Sequence, residues 1–451
     1  MKEKNVQKAM PMIMLAFILA GSLQEAFNVC APIITEDFGI TSSEVSLISA
    51  VAMLTMGVAY IVYTALSDFM SIKKLLVAGI VISAVGSVGG VLFCSSFLAV
   101  VVFRAVQMAG GTCSSALLIL TATRYLDENI RSRYYGFNTA CFSGGQLSGI
   151  LLGGIFATYL EWRYLFLVPV LSLVAVPFIL KYLPEDSRED SVKIDFLGIF
   201  LMALLSLFVS LYFNVTDGRL LLASGVTAVL FLVYISKNQN AFITIDFFKN
   251  WKYMLVILVV LITYSTQGSY SFLFSFLASG VHGIETSRIS MILLPSYAIS
   301  MAIGILGSRI TGRLGVTKTL MLGLGSMAAG VLLGAFFLDR SAALLVGMSC
   351  LFNGGFSILY TPIMTLVINS LPERMRGTGL GFFNLCIKIT SSTGIVITGK
   401  LLTLDGLKHS PAMISMTAAG QVYSNILLIF LAVVAVSFVT VNLVKGLLIR
   451  R

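Results

Sequence analysis

Charge is scarce in this chain. Asp, Glu, Lys and Arg make up 11% of its 451 residues, whereas a water-soluble domain carries about 25%. That is too little to cover the exterior of a soluble protein of this length. Histidine is nearly absent: His282 and His409 both fall outside the apolar runs. This excludes H-E-x-x-H zinc chemistry and weakens any histidine-based triad. The six cysteines (Cys30, Cys94, Cys113, Cys141, Cys350 and Cys386) lie in apolar runs and make no C-x-x-C pair. Neither a disulfide framework nor a thiolate metal site follows from them. Nucleotide chemistry is also missing. The stretch GIVITGKL (394–401) nearly spells a P-loop, but Leu401 stands at the Ser/Thr position and no strand precedes it.

What the chain has in abundance is apolar side chains, 57% of the total. A spanning helix with its connection takes about 30 residues, so the length allows roughly 14 to 15 spans. The expected fold class is an all-α integral membrane protein with little mass outside the bilayer. Apolar runs between charged or turn-forming breaks predict helices over 9–33, 45–66, 74–95, 97–122, 135–159, 164–183, 196–214, 219–236, 254–279, 289–310, 318–338, 342–369, 379–402 and 422–445. The first run follows Lys2, Lys4 and Lys8, yet it is too long for a signal-peptide core, contains Glu25 and lacks an A-x-A site. It reads as a retained helix.

The basic residues support the count. With both ends inside, only Arg163, Arg219, Arg288, Arg340, Lys400 and Lys408 fall on outer segments, and Arg104 and Lys388 lie within spans. The other 22 of the 30 Lys and Arg lie on the inner side, as the positive-inside rule requires. The net charge of +10 therefore reads as orientation rather than affinity for nucleic acid. An internal repeat appears as well. LDENIRSRYYGFN (126–138) recurs as LPERMRGTGLGFFN (371–384), pairing Glu128 with Glu373, Arg131 with Arg376 and Phe137 with Phe382. TALSDFMS (64–71) parallels SRITGRLG (308–315) at nearly the same offset. Parallel halves of this kind are a transporter architecture. The expected organisation is a six-helix half over 1–190, a linker and inserted helix pair over 191–240, and a second six-helix half over 241–451.

Together LSDFMSIKKLL, FRAVQMAGG, GGQLSGILLGG, EWRYLFLVP, KIDFLGIFLM and VYSNILLIF resemble the major facilitator superfamily, and within it the fourteen-helix drug:proton antiporters. The resemblance is greatest to the Gram-positive tetracycline-efflux proteins. It implies a proton-coupled exporter of tetracycline-like or other amphipathic drugs working by alternating access, a multidrug and antibiotic-resistance function. Its partners would be protons, a small molecule and the lipid bilayer. It implies no cofactor beyond the proton gradient, the substrate itself being a possible metal–tetracycline chelate. It also implies a monomer in a Gram-positive cell membrane with both ends cytoplasmic. An enzyme would need clustered nucleophiles or carboxylates in the membrane, and Glu25 is the one carboxylate deep within a span.

The resemblance assigns roles to particular residues. Asp68, with Lys73 and Lys74, sits in the loop motif after the second helix and would latch the halves; a solvated loop acid is the alternative. Arg104 and Gln107 match the fourth-helix motif. An arginine within a span costs roughly 2.5–3.5 kcal/mol on insertion scales, so Arg104 faces a cavity or partner, or else reaches back to the interface. Glu25 is the expected proton carrier, because desolvation and a nearby cation pull a carboxyl in opposite directions. A static Glu25–Arg104 brace is the alternative. Gln24 and Asn28 flank Glu25 as a polar stripe. Gly145, Gly149, Gly153 and Gly154 match the antiporter motif of helix 5, with Ile150 in place of its proline.

Two departures bear on substrate. Tetracycline-efflux proteins carry acids where this chain has Gly312 and Ser391. Lys388 lies one turn before Ser391, and either contacts a ligand or pairs with Glu25. An anionic amphiphile is therefore a second substrate class. Tyr264, Gln267, Tyr270, Asn353 and Tyr360 are further candidates for the cavity wall.

Overall fold

The structure is a computed structural model that describes residues 2–67, 70–185, 195–238, 248–371, 376–409 and 417–449, a few side chains within those helices excepted. Fourteen long helices account for most of it. They are α1 (Lys2–Phe38), α2 (Ser42–Leu66), α3 (Ile72–Leu92), α4 (Phe97–Tyr125), α5 (Glu128–Tyr159), α6 (Trp162–Tyr182), α7 (Phe196–Val215), α8 (Gly218–Lys237), α9 (Trp251–His282), α10 (Thr286–Leu314), α11 (Val316–Phe337), α12 (Ala342–Ser370), α13 (Arg376–Leu401) and α14 (Ala418–Ile449). Thirteen of these are long and apolar enough to cross a bilayer among the described residues. The fourteenth, α7, holds a shorter apolar stretch, Leu197–Phe213. One departure from regular helix is α6, wound as 3₁₀ turns over Trp162–Val174 and as α-helix over Ala175–Tyr182.

Helix ends follow local chemistry. Thr41 caps α2 in a reciprocal pair with Glu44, satisfying amides that would otherwise face the bilayer edge unpaired. Where α1 meets α6, Asp37 accepts hydrogen bonds from Trp162 Nε1 (3.0 Å) and Arg163 Nη2 (2.8 Å). At the other end of the bundle, Arg124 at the end of α4 donates to the Ser67 carbonyl, 2.5 Å, closing the C-terminus of α2. These contacts fix both ends of the first half.

The six helices α1–α6 and the six helices α9–α14 pack alike. α1 lies on α5 as α9 lies on α13, α3 on α4 as α11 on α12, and α2 on α4 as α10 on α12. The halves meet chiefly through α2 against α13 and α5 against α10, which are equivalent seams under the repeat, and α1 also reaches α9 and α10. Helix α7 covers only the first of them. Its Ile199 and Met202 meet Ile61 of α2 and Leu385 of α13, and α8 rests on α7. The boundaries expected near residues 190 and 240 fall on 186–194 and 239–247, outside the described residues.

Small residues set the closest helix approaches. A Cβ on Gly149 would overlap the Ser22 carbonyl oxygen and come within 3.1 Å of Glu25 Cβ. Gly394, its counterpart in the repeat, would overlap the Ser265 carbonyl oxygen in the same way. Gly145 and Gly153 face Gly21 and Ala26 of α1, and Gly154 is buried beside them. The glycine motif of helix 5 thus seats α5 on α1, and the second half repeats the device. The proline missing at Ile150 is not needed for this contact, and Ile150 itself is buried among side chains of the second half.

Both chain ends lie on one face of the bundle. Toward the opposite, far face the halves share their cores. Phe272 of α9 and Ile395 of α13 enter a cluster with Phe27, Ile34, Val45 and Trp162. Ser42 Oγ donates to the Gly399 carbonyl (3.2 Å) and Ser392 Oγ to the Ala50 carbonyl (2.7 Å). Nearer the terminal face, the core running from Val6 to Leu183 contains, among the described residues, only side chains of the first half. The protein is sealed toward its far face.

Gly149→Ala and Gly394→Ala should each lower stability by about 1–3 kcal/mol through overpacking. Gly144→Ala, where an added Cβ meets nothing within 4 Å, should be neutral or stabilising. Thermal unfolding of the purified variants in detergent checks this; equal midpoints for all three would contradict the packing role.

Candidate functional site

The site centres on Glu25, two-thirds of the way along α1 and 3% exposed. α1 is held there by α5 on one side and α9 on another. The polar side chains around its carboxyl are Ser271 of α9, Tyr297 of α10, Asn28 of α1 and Gln146 of α5. The Tyr297 hydroxyl and Ser271 Oγ also bond to one another at 2.5 Å. Glu25 belongs to the first half, while Ser271 and Tyr297 belong to the second. One carboxyl is thereby shared across the molecular seam. Its Oε2 has no hydrogen-bond partner, nor do both amide atoms of Gln24 or Nδ2 of Asn28. Asn28 Oδ1 accepts from Ser49 Oγ of α2 at 2.6 Å. Free acceptors and donors buried side by side are costly, and at a membrane site such groups mark a place for an ion or a ligand.

Arg104 matches Glu25 in depth but does not meet it. It is fully buried, donates from Nη1 to Gln107 Oε1 at 2.7 Å, and lies 4.6 Å from the Phe27 ring centroid. Phe27 is two residues beyond Glu25, about 200° around the helix, so Arg104 occupies the other side of α1. Gln107 in turn donates to Ser87 Oγ (2.8 Å) and the Phe166 carbonyl (2.9 Å). The pair Arg104–Gln107 therefore ties α4 to α1, α3 and α6.

Lys388 of α13 is the buried cation near enough to interact electrostatically with Glu25. The two do not close an ion pair within 4 Å. The Lys388 ammonium lies 5.8 Å from the Phe142 ring centroid on α5, and its stem passes Gly57 of α2, where a Cβ would come within 2.8 Å of Lys388 Cβ. Phe142 is 41% exposed. It stands nine residues, two and a half turns, from the outward-facing Leu151, and so opens onto the interior between the halves.

The aromatic candidates divide. Tyr270 is stacked on Phe352 at 3.9 Å and shares a hydrogen bond with Ser349, so it is packing of the second half. Asn353 is likewise occupied, donating to Ser296 Oγ at 3.1 Å. Gln267 is buried on α9. Tyr264 packs edge-on against Phe356 at 4.9 Å with its hydroxyl free of partners. Tyr360 lies within electrostatic range of both Tyr264 and Tyr60, and Tyr60 comes from the first half. Ser391, at the position of a missing acid, donates to the Tyr264 carbonyl at 3.3 Å.

Sequence reasoning missed Tyr60, Phe142, Gln146, Ser271 and Tyr297. Gln146 alone carried a signal, standing inside the helix 5 glycine motif. Of the loop motif, Asp68 lies outside the described residues. Lys73 is half-buried, and Lys74 pairs with Glu185 at 2.9 Å. That ammonium holds the Glu185 carboxyl below its ordinary value. Gly312 has open space around it. Glu373 also lies outside the described residues, as do the side chains of Glu128, Arg131 and Arg376.

If the Arg104–Gln107 pair is a brace, Gln107→Leu should leave the buried Arg104 guanidinium without an acceptor, while Ser87 Oγ keeps its bond to the Ser83 carbonyl. The expected loss is about 1–3 kcal/mol for each group stranded, read as a lower unfolding midpoint. An unchanged midpoint would refute the brace.

A transporter of this architecture has known relatives. The model of the Major Facilitator Superfamily matches residues 13–395. The multidrug resistance protein Stp of Mycobacterium tuberculosis is 24% identical over 392 residues, covering 83% of this chain and 72% of that protein. The riboflavin transporter RibZ of Clostridioides difficile is 21% identical over 409 residues, covering 88% of each. Among solved structures, the POT family transporter PepTSo superposes with a TM-score of 0.72 at 11% identity, over 98% of both chains, which speaks to the fold alone. The chain is thus a multi-pass membrane transporter rather than an enzyme, and it belongs to the Major Facilitator Superfamily.

Proposed function

We propose that this protein is a proton-coupled antiporter that exports amphipathic drugs, tetracycline-like molecules among them, from the cytoplasm by alternating access. The single observation that carries the reading is the Glu25 carboxyl. It is buried at the seam, receives groups from both halves and keeps one oxygen free. A carboxyl in that position can hold a proton or face a cationic cargo, and the two exclude each other there. Because its partners Ser271 and Tyr297 belong to the other half, its occupancy biases the arrangement of the halves. A shared two-state element of this kind is sufficient to couple two ligands.

The distribution of basic residues supports placing both chain ends in the cytoplasm of a bacterial cell membrane. In that orientation the arrangement sealed toward the far face is closed to the outside. The proton gradient is the energy source, with no bound cofactor, and the functional unit is a monomer. Names of relatives support drug export, Stp being called a multidrug resistance protein. RibZ, called a riboflavin transporter, widens the range of cargo that this framework serves.

In vesicles holding an imposed proton gradient, a cationic drug such as ethidium should dissipate the gradient through the wild type. Glu25→Gln should reduce that flux at least a hundredfold while the protein still elutes as a single folded species. Wild-type flux in the variant would overturn the assignment.

A further inference from the structure

The site holds a second charge that exchange at Glu25 alone does not use. Helix α5 presents two side chains one turn apart on its inner side: Gln146 directs its amide at Glu25, and Phe142 lies under the Lys388 ammonium. Four residues of helix rise by about 6 Å. This places the carboxyl and the ammonium at neighbouring levels, one carried by α1 of the first half and the other by α13 of the second. They are not joined in an ion pair within 4 Å. Arg104 lies on the other side of α1 over Phe27, with Nη1 on Gln107 and its Nε and Nη2 without partners. The Phe142 ring beside Lys388 is partly exposed, and Glu25 keeps one oxygen without a partner.

We propose that Glu25 and Lys388 together bind an amphipathic zwitterion: its cationic end on Glu25 Oε2, its anionic end on the Lys388 ammonium, and its apolar body against Phe142. The proposal rests on the exchange reading above and specifies the cargo. A cation alone would leave Lys388 uncompensated in a low-dielectric site, and an anion alone would do the same to an ionised Glu25. A zwitterion satisfies both charges at once. It also preserves exchange, because its cationic end occupies the carboxyl in place of the proton. A cargo with only the anionic end would favour the protonated carboxyl and would travel with the proton. The titratable groups facing Glu25 are Tyr297 from α10 and Lys388 from α13, and neither offers a second carboxylate for the cationic end.

A fluoroquinolone and its methyl ester provide the test, since the acid is a zwitterion near neutral pH and the ester, of nearly the same shape, only a cation. Half-saturation for cargo-driven proton flux is measured in vesicles for both compounds. The wild type should take the acid at least tenfold more tightly, as expected for one compensated charge pair. Lys388→Gln should abolish that preference, and Lys388→Arg, which keeps the charge, should restore it. Equal half-saturation of acid and ester in the wild type would overturn the proposal, as would a preference that survives in Lys388→Gln. The exchange reading fails on a different result, namely proton flux that persists with both compounds in Glu25→Gln. Should Lys388→Gln not fold, the wild-type comparison decides alone.

Discussion

A carboxyl group cannot be carried into a bilayer without protein groups to receive it, and in this molecule those groups come from both halves. Glu25 costs several kcal/mol to place at membrane depth unless neighbours replace water. Gln146 and Asn28 on its own side, and Ser271 and Tyr297 opposite, are the polar groups around it. Moving the halves apart removes two of these four. On the proposed reading, a change in the charge of the carboxyl therefore shifts the balance between arrangements of the halves. The shared apolar core toward the far face supplies the other side of that balance, holding one arrangement until the polar contacts change.

The glycine motif of helix 5 has a specific place in this account. Close packing of small residues is common in membrane bundles and in isolation says little about transport. Here the approach of Gly149 to Ser22 and Glu25 puts α5 near enough for Gln146 to reach the carboxyl and for Phe142 to stand by Lys388. The repeat carries the same approach at Gly394 and Ser265, but there the position equivalent to Gln146 is Ser391, bonded to a backbone carbonyl. The scaffold is symmetric and the chemistry on it is not. The hairpin α7–α8 adds a second asymmetry, covering the seam of α2 with α13 and leaving its counterpart to direct contact between α5 and α10.

Much of the framework was legible in the sequence. Fourteen spans, the repeat and the isolation of Glu25 follow from where charge is allowed in a membrane, a constraint strong enough to read without coordinates. The partners of Glu25 were not legible, because serine and tyrosine are ordinary residues of apolar helices and nothing in their spacing marks Ser271 or Tyr297. Depth along a helix can be counted, but azimuth between helices cannot. Arg104 accordingly matched Glu25 in level and lies on the opposite side of α1, against Phe27. Tyr270 and Asn353 illustrate the complementary error, polar or aromatic residues that suggested a wall and are occupied within their own half. Lys388 has two readings in the sequence, ligand contact or partner of Glu25; its ammonium lies by the Phe142 ring and closes no ion pair with Glu25 within 4 Å.

The central claim is that one carboxyl is exchanged between proton and cargo. Infrared difference spectroscopy of the reconstituted protein addresses it most directly, through the carbonyl stretch of a protonated carboxyl. At a pH where Glu25 holds its proton, adding a cationic or zwitterionic cargo should bleach one such band. The same difference spectrum from Glu25→Gln should lack it. A spectrum in which cargo binds and no carboxyl band changes, or in which the band persists without Glu25, would contradict the account.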